Sequence, residues 1–273
     1  MAALLPKTSE RLLPDQVGSR DEYLQYLRHV FAYELAAGTF HAGAMVLDLG
    51  CGEGYGASLL ATRGISVVGV DVSPETVEHA ETKYASDRCR FECYGGERLG
   101  FPDASFDAVT SFQVLEHVED DTRYVTEAAR VLKPAGRLTL TTPNAATRLK
   151  PGARPWNRFH LREYTADQLR DLLGTAFAEV TIAGITATAE IYEIEMARVR
   201  QARRIVAIDP LNLRRLIPEA LKPWASRTVR RLFPRRHADE TSGNWASRYR
   251  IDDYCLTDSK LEQSLDLLAL CRR

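Results

Sequence analysis

Asp48 stands just ahead of three glycines at alternate positions, Gly50, Gly52 and Gly54, in the stretch Met45 to Ala61. Glycine serves where a backbone takes positive φ or must approach a ligand closely, so this spacing marks a loop shaped to cradle a bound molecule. A carboxylate before that loop attracts an incoming cation, such as an α-ammonium or a sulfonium, and repels a pyrophosphate. About twenty residues further on, Asp71 closes a second apolar run, Ser66 to Val70, where a strand-end carboxylate typically pairs with ribose hydroxyls. Two histidines, His117 and His160, add acid-base capacity, because an imidazole titrating near neutrality is a natural general base for an alcohol. The stretch from Gly52 to Ala57 also fits the G-x-G-x-x-A dinucleotide pattern, which keeps a nicotinamide-dependent oxidoreductase open; Asp48 speaks against it.

These residues need a frame to position them. Apolar runs and helical periodicity alternate along the chain. Strands are expected at 45–49, 66–71, 89–94, 107–112, 136–142, 178–185 and 265–271, and helices at 56–63, 75–84, 119–132 and 165–173. Such alternation predicts an α/β fold with a doubly wound parallel sheet and helices on both faces. Ser73-Pro74 reads as a helix start, Thr165 with Gln168 as a capping box, and Pro134-Ala135-Gly136 as the stop of a helix ending at Lys133. Ahead of the first strand, Tyr23, Leu24, Leu27, Val30, Phe31, Leu35 and Ala36 fall at spacings of three and four, an amphipathic helix over 20–37 expected to pack on the sheet edge. His29 and Tyr33 lie one turn apart on it and either pack or close the mouth of the ligand site.

The segment Asp48-x-Gly50-x-Gly52-x-Gly54 resembles the signature of the class I S-adenosylmethionine-dependent methyltransferases. The resemblance continues through Asp71-Val72-Ser73, Phe101 to Asp107, Glu116-His117-Val118 and Arg130 to Gly136, and spans roughly residues 43–185. It implies a Rossmann-like sheet with an antiparallel last strand, and S-adenosylmethionine as cofactor. It further implies Asp48 near the methionine end, Asp71 and Val72 at the ribose and its surroundings, and Gln113 and Leu115 beside the methionine portion. Glu116 and His117 then face the meeting point of acceptor and methyl donor. Where the family often has an acid against the adenine amino group, this chain has Gly95, which leaves Gly96 and Glu97 as the substitutes.

Between Lys150 and Thr165, arginines and aromatics sit among prolines, a composition suited to an acceptor site at the rim, with Trp156, Asn157, Arg158 and Tyr164 as candidate substrate contacts. Asn157-Arg-Phe-His160-Leu-Arg-Glu163-Tyr164 resembles a segment of methyltransferases from glycan and glycolipid pathways, and Glu10-Arg11-Leu12 fits that subgroup too. His160 is therefore a second candidate base. Glu116, Asp120 and Asp121 cluster in sequence and could hold a divalent ion such as Mg2+, or the acids after Glu116 simply start a helix.

The rest of the chain bounds the answer. A net charge of -1 gives no global pull toward nucleic acid, and none is expected as a partner. Five cysteines without metal-site spacing read as reduced, and the lack of a leader-like or membrane-spanning run points to a cytoplasmic protein. Residues 198–236 are strongly basic, with Asp209 and Glu219 their only acids, and carry apolar residues broken at Pro210, Pro218, Pro223 and Pro234. They read as two short helices forming a lid, with contact to an anionic membrane surface or lipid-linked substrate as the alternative.

Three parts follow: an N-terminal helical segment (1–42), a ligand-binding domain (43–186 plus 251–273) and a basic helical insertion (187–250). The resemblance implies methyl transfer to a sugar hydroxyl of a saccharide, glycolipid or methylated polysaccharide, the acceptor being a small molecule or oligosaccharide. A lipid or other natural-product acceptor is the alternative, and a non-catalytic lipid- or protein-binding module the rival from another class. Oligomeric state is not legible.

Overall fold

The computed structural model describes residues 14–208 and 245–273. The strands are β1 (Met45–Leu49), β2 (Ser66–Asp71), β3 (Cys89–Cys93), β4 (Phe106–Phe112), β5 (Leu132–Pro143), β6 (Glu179–Ala187), β7 (Tyr254–Thr257) and β8 (Asp266–Arg272). The helices are α1 (Arg20–Ala37), α2 (Tyr55–Thr62), α3 (Pro74–Tyr84), α4 (Asp121–Val131), α5 (Ala145–Arg148), α6 (Ala166–Leu173), α7 (Ala189–Ile208) and α8 (Trp245–Arg248). The described strands form an eight-stranded sheet in the order β3-β2-β1-β4-β5-β8-β6-β7. The strands β1 to β5 pair in parallel, and β8 runs antiparallel to both β5 and β6. The order reverses between β1 and β4, so the crevice beyond their carboxyl ends is where such a sheet receives a ligand.

The near-continuous apolar sequences of β1 and β2 require cover on both faces. On one face α4 and α6 pack over Leu47, Val68, Leu138 and Leu140; on the other α2 and α3 pack over Val46, Val67 and Phe91. Each fully buried leucine or valine contributes about 1.5–3 kcal/mol. The expected starts are present: Ser73 accepts from the Thr76 N–H with Pro74 opening α3, and Thr165 and Gln168 complete a capping box on α6.

Four expectations are corrected. The helix α1 lies across a sheet face, not on the edge, because it is apolar on two sides. Ala32, Tyr33 and Ala36 join the core under α2, while Leu24 and Leu27 meet Ile185 of β6, Ile191 of α7 and Leu268 of β8. Arg28 fixes this crossing, its Nε 2.8 Å from Asp266 of β8. Second, α4 ends at Val131, and Lys133 to Gly136 already belong to β5, which begins with an irregularity at Ala135 (φ 63°). Third, β7 adds an edge strand on β6 that four residues of mixed polarity do not announce. Fourth, α7 runs as one helix over Ala189–Ile208 and so takes up the first part of the basic segment. The two short helices expected between 198 and 236 fall, beyond α7, outside the described residues, as does Glu10-Arg11-Leu12. Among the described residues no helix is long and apolar enough to cross a membrane.

Candidate active site

The turn from β1 to α2 is built by glycine. At Gly50 (φ 83°) a Cβ would lie 2.5 Å from a Val114 methyl, so only glycine lets the segment after β4 close over the loop. At Gly52 (φ 53°) a Cβ would meet nothing within 4 Å: here the backbone is presented to open space. Asp71 holds that geometry from the end of β2, its Oδ2 accepting from the Gly52 N–H (3.1 Å) and its Oδ1 from the Ser73 N–H (2.9 Å). Each oxygen keeps a second acceptor site. Beside it Val72 is 57 % exposed, a large apolar side chain at the rim, with Gly96 against its methyl. Glu97 is largely exposed, its carboxylate 3.6 Å from Arg123.

Asp48 is placed differently from expectation. It is 1 % exposed and accepts from Thr110 Oγ1 (2.9 Å) and from the Tyr33 hydroxyl (3.0 and 3.2 Å). Burial pushes its pKa up to about 7, against these two hydrogen bonds. Tyr33 itself is buried, its ring against Gly56 and edge-on to Phe112 at 4.6 Å. Asp48 therefore sits behind Tyr33 and does not open onto the rim. One turn earlier, His29 Nδ1 meets the Tyr55 hydroxyl at 2.9 Å, and burial next to Arg28 drives its pKa down to about 4. His29 and Tyr33 thus clamp α1 onto the start of α2 and form the wall behind the loop, not its mouth.

The carboxyl ends of β4 and β5 carry the second half. Gln113 takes φ 59°, its N–H on the Thr141 carbonyl and its amide on the Thr141 hydroxyl. Leu115 is fully buried in the core, so its side chain does not line the rim as expected; its neighbour Val114, over Gly50, is only partly buried. A short 3-10 turn, Leu115–His117, then presents Glu116 and His117.

The loop after β5 brings His160 to this turn. The Leu161 N–H donates to the Glu116 carbonyl (2.8 Å), and the rings of His117 and His160 meet edge to face at 4.9 Å. His117 Nδ1 lies 3.2 Å from the Phe159 carbonyl, and His160 Nδ1 lies 2.7 Å from Glu163. Glu163 also accepts from Arg148 Nε through both oxygens, at 3.0 and 3.1 Å. Burial acts against the charge on Glu163, but His160 and Arg148 outweigh it and hold the carboxyl below its ordinary range. Glu116 is 1 % exposed and accepts from Thr142 Oγ1 at 3.0 Å; burial pushes its pKa up to about 8.

Two substrate candidates turn out to build this loop. Asn157 Oδ1 accepts from the Phe159 N–H (3.2 Å), and the buried Tyr164 donates to Asp121 (2.8 Å). Arg158 stacks on Phe159. Trp156 carries the Arg148 guanidinium 4.4 Å above its ring, and its buried Nε1 has no hydrogen-bond partner. The expected metal set is also corrected. Asp120 caps α4 by accepting from Arg123 N–H, and Asp121 is held by Arg162 and Tyr164. Among the described residues the grouping able to hold an ion is Glu116, His117 and His160. Sequence reasoning missed Arg148, Glu163, Thr110 and Thr142 as working parts; the signal was polar types at buried strand ends.

The family model described as a methyltransferase domain matches residues 47–140. An S-adenosylmethionine-dependent methyltransferase of Mycolicibacterium smegmatis is 35 % identical over 280 residues, covering 100 % of this chain and 97 % of that one. The 27-O-demethylrifamycin SV methyltransferase of Amycolatopsis mediterranei is 40 % identical over 104 residues, 36 % of this chain and 38 % of its own length. Among solved structures, a chain from the complex of the Haloferax volcanii Trm112 methyltransferase activator with a methyltransferase superposes with TM-score 0.57 at 21 % identity, covering 97 % of this chain and 99 % of that one.

Proposed function

Since the chain belongs to the class I S-adenosylmethionine-dependent methyltransferases, we propose that it methylates a hydroxyl oxygen, with His117 and His160 receiving the acceptor. The observation that carries this is the edge-to-face histidine pair, 4.9 Å between ring centroids, with His117 Nδ1 on the Phe159 carbonyl and His160 Nδ1 on Glu163, which brings two imidazoles to one point beyond β4 and β5. The residues at the glycine loop fit the methyl donor. Gly52 faces open space, Asp71 has acceptor sites for two ribose hydroxyls, and Val72 offers an apolar surface for a flat base next to Gly96 and Glu97. Asp48, behind Tyr33, acts on the methionine end through the loop it supports.

S-adenosylmethionine supplies a methyl on a positively charged sulfur, already labile toward a nucleophile. The protein must then align oxygen, carbon and sulfur, and accept a proton. Transfer would form the oxygen–carbon bond and break the carbon–sulfur bond, whose electron pair would stay on sulfur, while the histidine pair would take up the hydroxyl proton and pass it to solvent. The pair Arg148 and Glu163 fixes the His160 ring for that step. Its buried neighbour Glu116, with its pKa raised to about 8, adds no full negative charge at neutral pH.

For the acceptor, a sugar hydroxyl is our reading. Its support is the loop of Trp156, Arg158 and His160, where an aromatic ring and polar groups could hold a polyhydroxylated molecule. The rifamycin relative's name favours a natural-product hydroxyl as the second reading. Labelled S-adenosylmethionine offered with a panel of saccharides and of apolar hydroxy compounds decides between them. Label in a saccharide, lost in His160→Ala, supports the first; label only in apolar acceptors overturns it in favour of the second; label only in amines or thiols overturns oxygen transfer.

A further inference from the structure

We infer that Glu116, His117 and His160 form a binding site for a divalent transition-metal ion, one imidazole or carboxylate atom from each. The three ligand atoms all lie within 4.8 Å of one another. Tetrahedral ligation with bonds of about 2.0–2.1 Å needs separations of roughly 3.4 Å, so closure asks for ligand-atom movements of about an ångström.

What distinguishes this trio from a chance cluster is how each member is held. Metal-binding histidines are oriented by a carbonyl or carboxylate on the ring nitrogen away from the ion. Both histidines have that arrangement here: His117 Nδ1 is on the Phe159 carbonyl, and His160 Nδ1 is on Glu163, itself fixed by Arg148. Glu116 uses Oε2 on the Thr142 hydroxyl, leaving Oε1, which lies 4.0 Å from His117 Nε2. The Leu161 N–H on the Glu116 carbonyl locks the loop carrying His160 to the turn carrying the other two. Access is through His117, whose side chain is 31 % exposed, against 1 % for Glu116 and 7 % for His160.

Two imidazoles and one carboxylate suit Zn2+, Co2+, Mn2+ or Fe2+, and not Mg2+, which prefers oxygen ligands. Three protein ligands leave a position open. On the oxygen-transfer reading, on which this role rests, the open position takes the acceptor hydroxyl and lowers its pKa; the histidines then hold the ion, and the proton leaves to solvent.

The test uses the full chain, stripped with a chelator and titrated with Co2+ while its visible absorption is followed, next to calorimetry with S-adenosylhomocysteine. One Co2+ per chain with intense tetrahedral bands, abolished in His117→Ala/His160→Ala and weakened about 10- to 100-fold in Glu163→Gln, supports the site. S-adenosylhomocysteine binding that persists in these variants shows that they fold. Cofactor binding without saturable cobalt bands overturns the metal site and leaves the methyltransferase reading standing. Cobalt binding that survives the double substitution also overturns it, since the ion then sits elsewhere. Cobalt bands without cofactor binding support the metal site and sink the cofactor assignment instead.

Discussion

The two halves of the candidate active-site rim are made of different material. At the ends of β1 and β2 the surface is backbone: Gly52 faces open space, and one carboxylate, Asp71, holds the loop by two N–H groups. At the ends of β4 and β5 it is side chain: Glu116, His117, Glu163, His160 and Arg148 orient one another across more than forty positions of sequence. A backbone cradle admits any ligand of the right shape and is rebuilt wherever its glycines recur. A side-chain pocket depends on several partners at once and can change its acceptor while the cradle stays.

That contrast is sharpest in what each half should control. Replacing both histidines, His117→Ala/His160→Ala, should lower the rate of methyl transfer by about 10²- to 10⁴-fold, the span expected for lost acid-base or acceptor-positioning groups. Affinity for S-adenosylhomocysteine should be unchanged in calorimetry. Loss of affinity in the double variant would mean that the two halves are one unit. Conversely, Asp71→Ala frees the Gly52 N–H and, on the proposed cofactor placement, removes a charged acceptor from the ribose. It should weaken S-adenosylhomocysteine by about 1.5–3 kcal/mol, roughly 10- to 100-fold, in the same titration. Unchanged affinity there would move the ribose away from the end of β2.

The same division decides what could be read from the sequence. The strands, the glycine loop and Asp71 were legible because each is a local pattern: an apolar run, a spacing of glycines, an acid at a strand end. The edge strand β7 and the crossing of α1 were not, since α1 is apolar on two sides and the sequence does not say which side meets the sheet. Nor did it say that Tyr33 would cover Asp48. The histidines were visible singly, yet their meeting was not, because it depends on Leu161 pairing with Glu116 and on Arg148 reaching Glu163. Asp120 and Asp121 looked like ligands by proximity in sequence; cap geometry and the partners Arg162 and Tyr164 took them instead.

Behind the cradle, Asp48 gives a prediction of intermediate size. Its carboxyl is raised by burial from 3.8 to about 7 in the folded chain. An acid whose folded pKa is raised binds its proton more tightly when folded. The stabilisation is therefore complete below the unfolded value and is lost as pH rises through the folded one. Between about pH 4 and 7 the wild type should lose stability relative to Asp48→Asn, by up to about 1.4 kcal/mol per pH unit. Denaturant melts of both proteins across that range check it. Parallel curves would show that Asp48 is ionised in place, with Tyr33 and Thr110 compensating its burial.

The smallest expected effect is at Glu97, and it asks whether the cradle is backbone throughout. On the proposed cofactor placement, with Gly95 where the resembled family often has an acid, the adenine amino group is left to backbone atoms of Gly96 and Glu97 or to the Glu97 carboxylate. That carboxylate is 79 % exposed and lies 3.6 Å from Arg123, a surface arrangement worth at most about 1 kcal/mol. Glu97→Ala should therefore weaken S-adenosylhomocysteine by less than about fivefold and leave the melting curve unchanged. A larger loss would mean that the side chain folds over the base on binding. The adenine end would then share the side-chain construction of the histidine pocket, and the division between the halves would fall inside the cofactor site.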